Sequence, residues 1–210
     1  MDSKCQDIMM KSLYKDINWD KISYVGFDMD GTLYDEYQFI SQVYKEISKL
    51  LEPESFLFMK KRWIEKGSSY QHIFSEAFDL YKINNNKATF IKEALNIFRN
   101  FDPKIKLNDR VLKILSYCKN NYKIFLITDG NPELQKKKFA SLRLDKFFNK
   151  NYVLFTGINP KVYSKPKVES LKLLSIDAKK SVFFGDRDID KQFCLNSKMQ
   201  FQKVKAMNIV

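Results

Sequence analysis

Three runs of this chain, ISYVGF (22–27), KIFLI (123–127) and SVFFG (181–185), are apolar almost without interruption and stop abruptly at Asp28, Thr128 and Asp186. A strand with one wet face would alternate polar and apolar side chains. An unbroken run of this length reads as a strand buried on both faces, as in a parallel sheet. Helical patterns lie between the runs: 109–119 before the second, a stretch opened by Asn131 and Pro132, another after Pro166, and 189–197 after the third. Asn131 and Pro132 supply the cap and first-turn signals of a helix start. YVLFT (152–156) adds a further strand, and FQKVK (201–205) a last one at an edge. The alternation predicts an α/β fold with a parallel sheet and helices on both faces.

The alternation is interrupted once. Phe39, Ile40, Val43, Tyr44, Ile47, Leu50 and Leu51 recur at three-and-four spacing, which predicts a helix. Pro53 opens a second helix to about residue 66, a third covers about 70–82, and a fourth follows the polar break at Asn84, Asn85 and Asn86. No strand pattern intervenes. The expected organisation is a core of residues 1–35 and 105–210 with an all-helical module, 36–104, inserted into it. Residues 1–20 form an extension with a helical pattern through Ile8, Met9, Leu13 and Tyr14. Its sequence suggests no role.

Composition narrows the class. Cys5, Cys118 and Cys194 are odd in number and lack metal-ligand spacing, which argues against a disulfide scaffold or a zinc site and for a reducing cytosol. The first residues carry no apolar stretch of signal-peptide length, and no run spans a bilayer. A soluble, cytoplasmic protein without a membrane partner is expected. The net charge of +12 is concentrated in residues 106–210. No aromatic–basic RNA-binding signature and no DNA-reading helix accompanies it, so the excess reads as a Lys-rich solvated surface rather than a nucleic-acid site. The KKK at 136–138 is read the same way.

The acids carry more information. In an open parallel sheet, ligands bind at the carboxyl ends of the strands. Asp28 and Asp30 follow the first run, Thr128, Asp129 and Gly130 the second, and Asp186, Asp188 and Asp190 the third. Clustered carboxylates repel one another unless a cation intervenes. With no Cys or His beside them, they point to a hard, oxygen-loving ion, by default Mg²⁺. His72 is the one histidine, which argues against histidine-based hydrolysis. Gly31 and Gly130 can open backbone N–H groups to an anion, and Lys165 supplies a compact positive charge. Asp30, two residues beyond Asp28 on the same turn, suits a general acid.

These residues resemble the four signatures of the haloacid dehalogenase (HAD) superfamily. Asp28-Met29-Asp30-Gly31-Thr32-Leu33 is similar to the first, Thr128-Asp129 to the second, Lys165 in SKPK to the third, and Gly185-Asp186-Arg187-Asp188-Ile189-Asp190 to the fourth. The resemblance covers about 22–205. It implies a Rossmann-like core with an inserted helical C1 cap, as in phosphoglycolate phosphatase-like members. It implies Asp28 as nucleophile, Asp30 as acid and then base, Thr128 with Asp129, Gly130 and Lys165 around the phosphate, and Mg²⁺ held by Asp28, Asp186 and the Asp30 carbonyl. Asp190 would orient Lys165 or a metal-bound water. Asp30 favours phosphatases and phosphomutases over dehalogenases, which lack an acid there. KQFCLNSKM after Asp190 departs from the family's Ala-rich helix.

The expected activity is hydrolysis of a small phosphomonoester, a sugar, polyol or amino-alcohol phosphate. A sugar phosphomutase and a non-enzymatic regulator on the same core are the alternatives. Lys60, Lys61, Arg62, Trp63, Tyr70 and His72 are candidate substrate contacts by type, with Trp63 read as core and His72 as a satisfied polar residue. Substrate identity and oligomeric state are left open.

Overall fold

The computed structural model describes residues 10–81 and 86–205. Contacts divide the chain into two units, Met1–Glu36 with Ile105–Val210, and Tyr37–Lys104.

The first unit is built on β1 (Tyr24–Phe27), β2 (Lys123–Thr128), β3 (Val153–Phe155), β4 (Ser181–Gly185) and β5 (Gln200–Lys203). All neighbouring pairs run parallel, in the order β3-β2-β1-β4-β5. The unbroken apolar runs are the three central strands, because only these are covered on both faces. β3, the shortest strand, and β5, of mixed character, form the edges. The alternation of side chains sorts each strand between the two faces. On one face Phe125 and Phe183 meet Leu154, Leu171 and Phe193 in a buried cluster. On the other, Phe27 stacks on Phe184 at 5.3 Å and takes the edge of Phe148.

Residues 1–9, with Ile8 and Met9, lie outside the described residues. From Met10 the extension belongs to the core. Residues 10–13 are helical, and Met10, Tyr14, Ile17, Trp19 and Ile22 are buried. Tyr14 sets its ring edge-on to Phe184 at 5.0 Å, and Asn18 N–H donates to Gln200 on the edge strand at 3.2 Å. The extension thus covers apolar sheet surface, at roughly 25 cal/mol per Å².

The second unit contains α1 (Tyr37–Ile47), α2 (Ser55–Lys66), α3 (Ile73–Leu80) and α4 (Lys87–Asn100). No described residue in it is a strand. Phe39, Val43, Ile47, Met59, Ala77, Phe90 and Ala94 form its core. The Asn86 side chain caps α4, accepting from Ala88 and Thr89 N–H, a cap of about 1 kcal/mol. Arg62 grips Glu76 with two bonds, 2.7 and 2.9 Å, and Tyr70 O–H donates to the same carboxylate. Arg62 is therefore committed within the unit. Trp63 packs against Tyr37, and His72 is exposed at the start of α3.

In the first unit the remaining helices are α5 (Asp109–Asn121), α6 (Pro132–Ser141), α7 (Pro160–Tyr163), α8 (Glu169–Leu173) and α9 (Asp188–Ser197). Asn131 caps α6 by accepting from Leu134 N–H at 3.1 Å. Among the described residues no helix is long and apolar enough to cross a membrane.

Candidate active site

Register brings the strand-end residues together. Phe27 pairs with Phe184 of β4 and Leu126 of β2. The ladder continues one step further, with Asp28 N–H donating to Phe184 C=O at 2.9 Å. Asp28 therefore emerges beside Gly185 and Asp186 on one side and the end of β2 at Thr128 on the other. This is the carboxyl edge of the sheet, where α/β folds bind ligands.

Lys165, between α7 and α8, is buried at the centre of this group. Its Nζ donates to Asp28 Oδ1 at 2.6 Å and Asp190 Oδ1 at 2.5 Å, and lies over the Phe183 ring at 5.4 Å. All three polar side chains have almost no solvent exposure. Burial disfavours the charged lysine, but Asp28 and Asp190 outweigh it and hold the ammonium above its usual pKa. Burial, reinforced by Asp190, pushes the Asp28 carboxyl up to about 7 in spite of Lys165 and Arg187. Burial and Asp190 likewise push Asp186 up to about 6.

The donor set fits a hard cation. Asp28, Asp186 and Asp190 can each offer an oxygen, all within 4.8 Å of one another. Asp190 has both oxygens engaged, by Lys165 and by Arg187 N–H at 3.1 Å. Asp28 Oδ2 and Asp186 Oδ1 are buried without any partner. Two such oxygens facing one point would be costly unless a cation met them. Gly31, at φ +73°, lets the turn after β1 approach Asp186 so closely that a Cβ would collide with its carboxylate.

The Asp30 side chain stands apart from that cluster. Lys138 Nζ donates to its Oδ1 at 2.6 Å, Gln135 Nε2 to its Oδ2 at 2.6 Å, and Tyr34 O–H to Oδ1. Burial would raise its pKa. Lys138, with the hydrogen bonds from Gln135 and Tyr34, outweighs burial and holds it below the usual carboxylate value. The solvated reading of residues 136–138 thus fails at Lys138, which is buried, while Lys136 is exposed. Glu36 also faces this group: burial, then Asp30, push its carboxyl up to about 8.

Thr128 and Asp129 are fixed from behind. Thr128 Oγ1 accepts from Gln135 Nε2 at 2.8 Å, which leaves its own O–H to donate elsewhere. The Asp129 carboxylate accepts from Thr156 O–H at 2.6 Å and from Lys165 N–H at 3.2 Å. An acid here would repel a phosphate, and its side chain instead ties the turn after β3 to the backbone that carries Lys165. Gly130 follows at φ +120°.

Sequence reasoning missed Gln135, Lys138 and Glu36. The available signal was the spacing of Leu134, Gln135 and Lys138, which share one face of α6.

Comparisons with known proteins bear on the family and the fold. Residues 25–204 match the family model of haloacid dehalogenase-like hydrolases. A 70-residue stretch is 36% identical to the glyceraldehyde 3-phosphate phosphatase of Pyrococcus abyssi, covering 31% of this chain and 28% of that protein. The chain thus spans under a third of that relative's length. Among solved structures, a putative HAD hydrolase of Bacillus subtilis, described as bound to magnesium, superposes with a TM-score of 0.65 at 15% identity, over 86% of this chain and 85% of that one. A putative β-phosphoglucomutase of Thermotoga maritima gives 0.64 at 20% identity, over 90% and 88%. These two likenesses establish the fold, and the family model goes further: the chain belongs to the haloacid dehalogenase-like hydrolases.

Proposed function

We propose that the chain is a phosphatase that hydrolyses a small-molecule phosphomonoester through a phosphorylated Asp28. The observation that carries this reading is the state of Asp28, a buried strand-end carboxylate with one oxygen on Lys165 and the other without a partner. The phosphatase named among the relatives supports it over a limited stretch.

In this reading Asp28 attacks phosphorus, and the bond to the alcohol oxygen breaks as the bond to Asp28 forms. The departing oxygen takes a proton from Asp30. Water then attacks phosphorus and gives a proton to Asp30, releasing phosphate and restoring the Asp28 carboxylate. The Thr128 hydroxyl donates to a phosphate oxygen. Lys165 offsets negative charge on Asp28 and the phosphoryl group. Asp28 and Asp186, with the main-chain carbonyl of Asp30, would hold Mg²⁺, which supplies charge neutralisation to the transferring group. The helical unit would select the substrate, and the class we favour is a sugar, polyol or amino-alcohol phosphate.

The test is phosphate release from a panel of phosphorylated metabolites with Mg²⁺. Release that stops with chelator and resumes with Mg²⁺ is expected. No release from any member would overturn the reading, and an isomerised sugar phosphate without free phosphate would make the protein a mutase.

Asp129 offers a second check. Asn keeps the oxygen that Thr156 and Lys165 use, whereas Ala removes it. Asp129→Asn should stay near wild type, and Asp129→Ala should lose about tenfold or more in kcat/KM, the scale of disrupting a supporting shell. Equal losses in the two variants would remove this holding role.

A further inference from the structure

We propose that Gln135 and Lys138 are positioning residues that aim the Asp30 carboxylate at the leaving-group oxygen and turn the Thr128 hydroxyl toward the phosphate; this rests on the phosphatase reading. Both Asp30 oxygens are taken from behind, Oδ2 by Gln135 and Oδ1 by Lys138, each at 2.6 Å. Lys138 is 4% exposed and Asp30 16%. The clamp is therefore sealed and the carboxylate is the more open partner. A buried lysine costs several kcal/mol of desolvation unless it is paired, and Asp30 supplies such a partner at 2.6 Å.

Gln135 links two functions. Its Nε2 carries two hydrogens but lies within bonding distance of three acceptors: Asp30 Oδ2, Thr128 Oγ1 at 2.8 Å and Asp129 C=O at 2.6 Å. One amide thus sets the acid–base carboxylate and the phosphate anchor relative to each other. Donation into Thr128 Oγ1 also forces the threonine's own hydrogen outward. The i,i+3 spacing places Gln135 and Lys138 on one face of α6, and the Asn131 cap anchors that helix at the site. Lys138 favours the ionised carboxylate, and the phosphate dianion of an incoming substrate opposes this, so Asp30 takes up its proton as substrate binds while the clamp fixes its orientation beforehand.

A merely structural ion pair and an aiming device separate by leaving group. A positioned acid matters more as the departing oxygen becomes more basic. The experiment measures kcat/KM with substituted phenyl phosphates, from p-nitrophenyl to p-methoxyphenyl, for wild type, Lys138→Met, Lys138→Arg and Gln135→Met. kcat/KM reports the steps through departure of the phenol, so later hydrolysis of the phosphorylated enzyme does not blur it.

Lys138→Met should lose about 100-fold with p-methoxyphenyl phosphate and about threefold with the p-nitrophenyl ester, the range of general-acid contributions. Lys138→Arg should recover most of the difference. Gln135→Met should show the same leaning toward good leaving groups, and weaker inhibition by inorganic phosphate because the Thr128 hydroxyl is no longer directed. Should Lys138→Met fail to fold, the Gln135→Met result alone decides. Equal loss across all esters, or no loss, in a wild type that turns them over would overturn this inference alone. A wild type that releases no phenol from any ester would overturn it together with the phosphatase reading.

Discussion

Asp28→Asn should abolish turnover while the protein stays folded. The substitution is nearly isosteric, and the retained carbonyl oxygen can still accept from Lys165, whose Nζ lies 2.6 Å from Asp28 Oδ1. The amide nitrogen takes the place of Asp28 Oδ2, which has no protein partner to lose. Packing around β1 is therefore kept. The variant lacks a carboxylate to attack phosphorus, and loss of a nucleophile in a concerted site costs about 10⁴–10⁶ in kcat. Phosphate release measures the loss, and circular dichroism and the melting temperature check the fold. In acid-quenched wild-type protein during turnover, the peptide containing Asp28 should carry a phosphoryl group; in the variant it should not. Turnover within tenfold of wild type would remove Asp28 from the chemistry.

How much of this was legible in the sequence follows from which residues are constrained locally. SVFFG (181–185) reads as a strand and is one, because a strand buried on both faces must be apolar throughout. The acids of the first and third runs are visible because each apolar run ends sharply in one. Their meeting depends on register, which pairs Phe27 with Phe184, and no local signal specifies that. Lys138 was illegible for a different reason. Lys136, Lys137 and Lys138 are identical in type, and only the docking of α6 decides which of the three is buried. Gln135, an ordinary helix-surface residue by type, is hidden for the same reason. The extension shows the converse. Its role was hidden because the partners of Tyr14 and Trp19, Phe184 and Tyr122, lie far along the chain.

Charge balance, rather than any one bond, distinguishes Lys165 from the other cations here. Lys165→Met should remove activity and also destabilise the fold in a pH-dependent way. The lysine is fully buried between two buried carboxylates at 2.6 and 2.5 Å. Met fills its volume but leaves Asp28 and Asp190 facing each other and Asp186 with no ammonium between them. Removing one partner of a buried pair costs about 3–5 kcal/mol, roughly 10 °C or more in Tm for a chain of this size. The sign with pH follows from Asp28. Its folded pKa already lies above the unfolded value of 3.8, at about 7, and Lys165 is what restrains it. Without Lys165 it rises further. A carboxyl with a raised folded pKa weakens the fold as pH climbs above its unfolded value, and the penalty grows until it ionises in the folded state. The Tm deficit of Lys165→Met should therefore be larger at pH 8 than at pH 5, where the folded variant keeps the Asp28 carboxyl protonated. Thermal melts of wild type and variant at the two pH values read this directly. An equal deficit at both would mean that Lys165 acts through packing, and that the negative charge assigned to this cluster does not govern its stability.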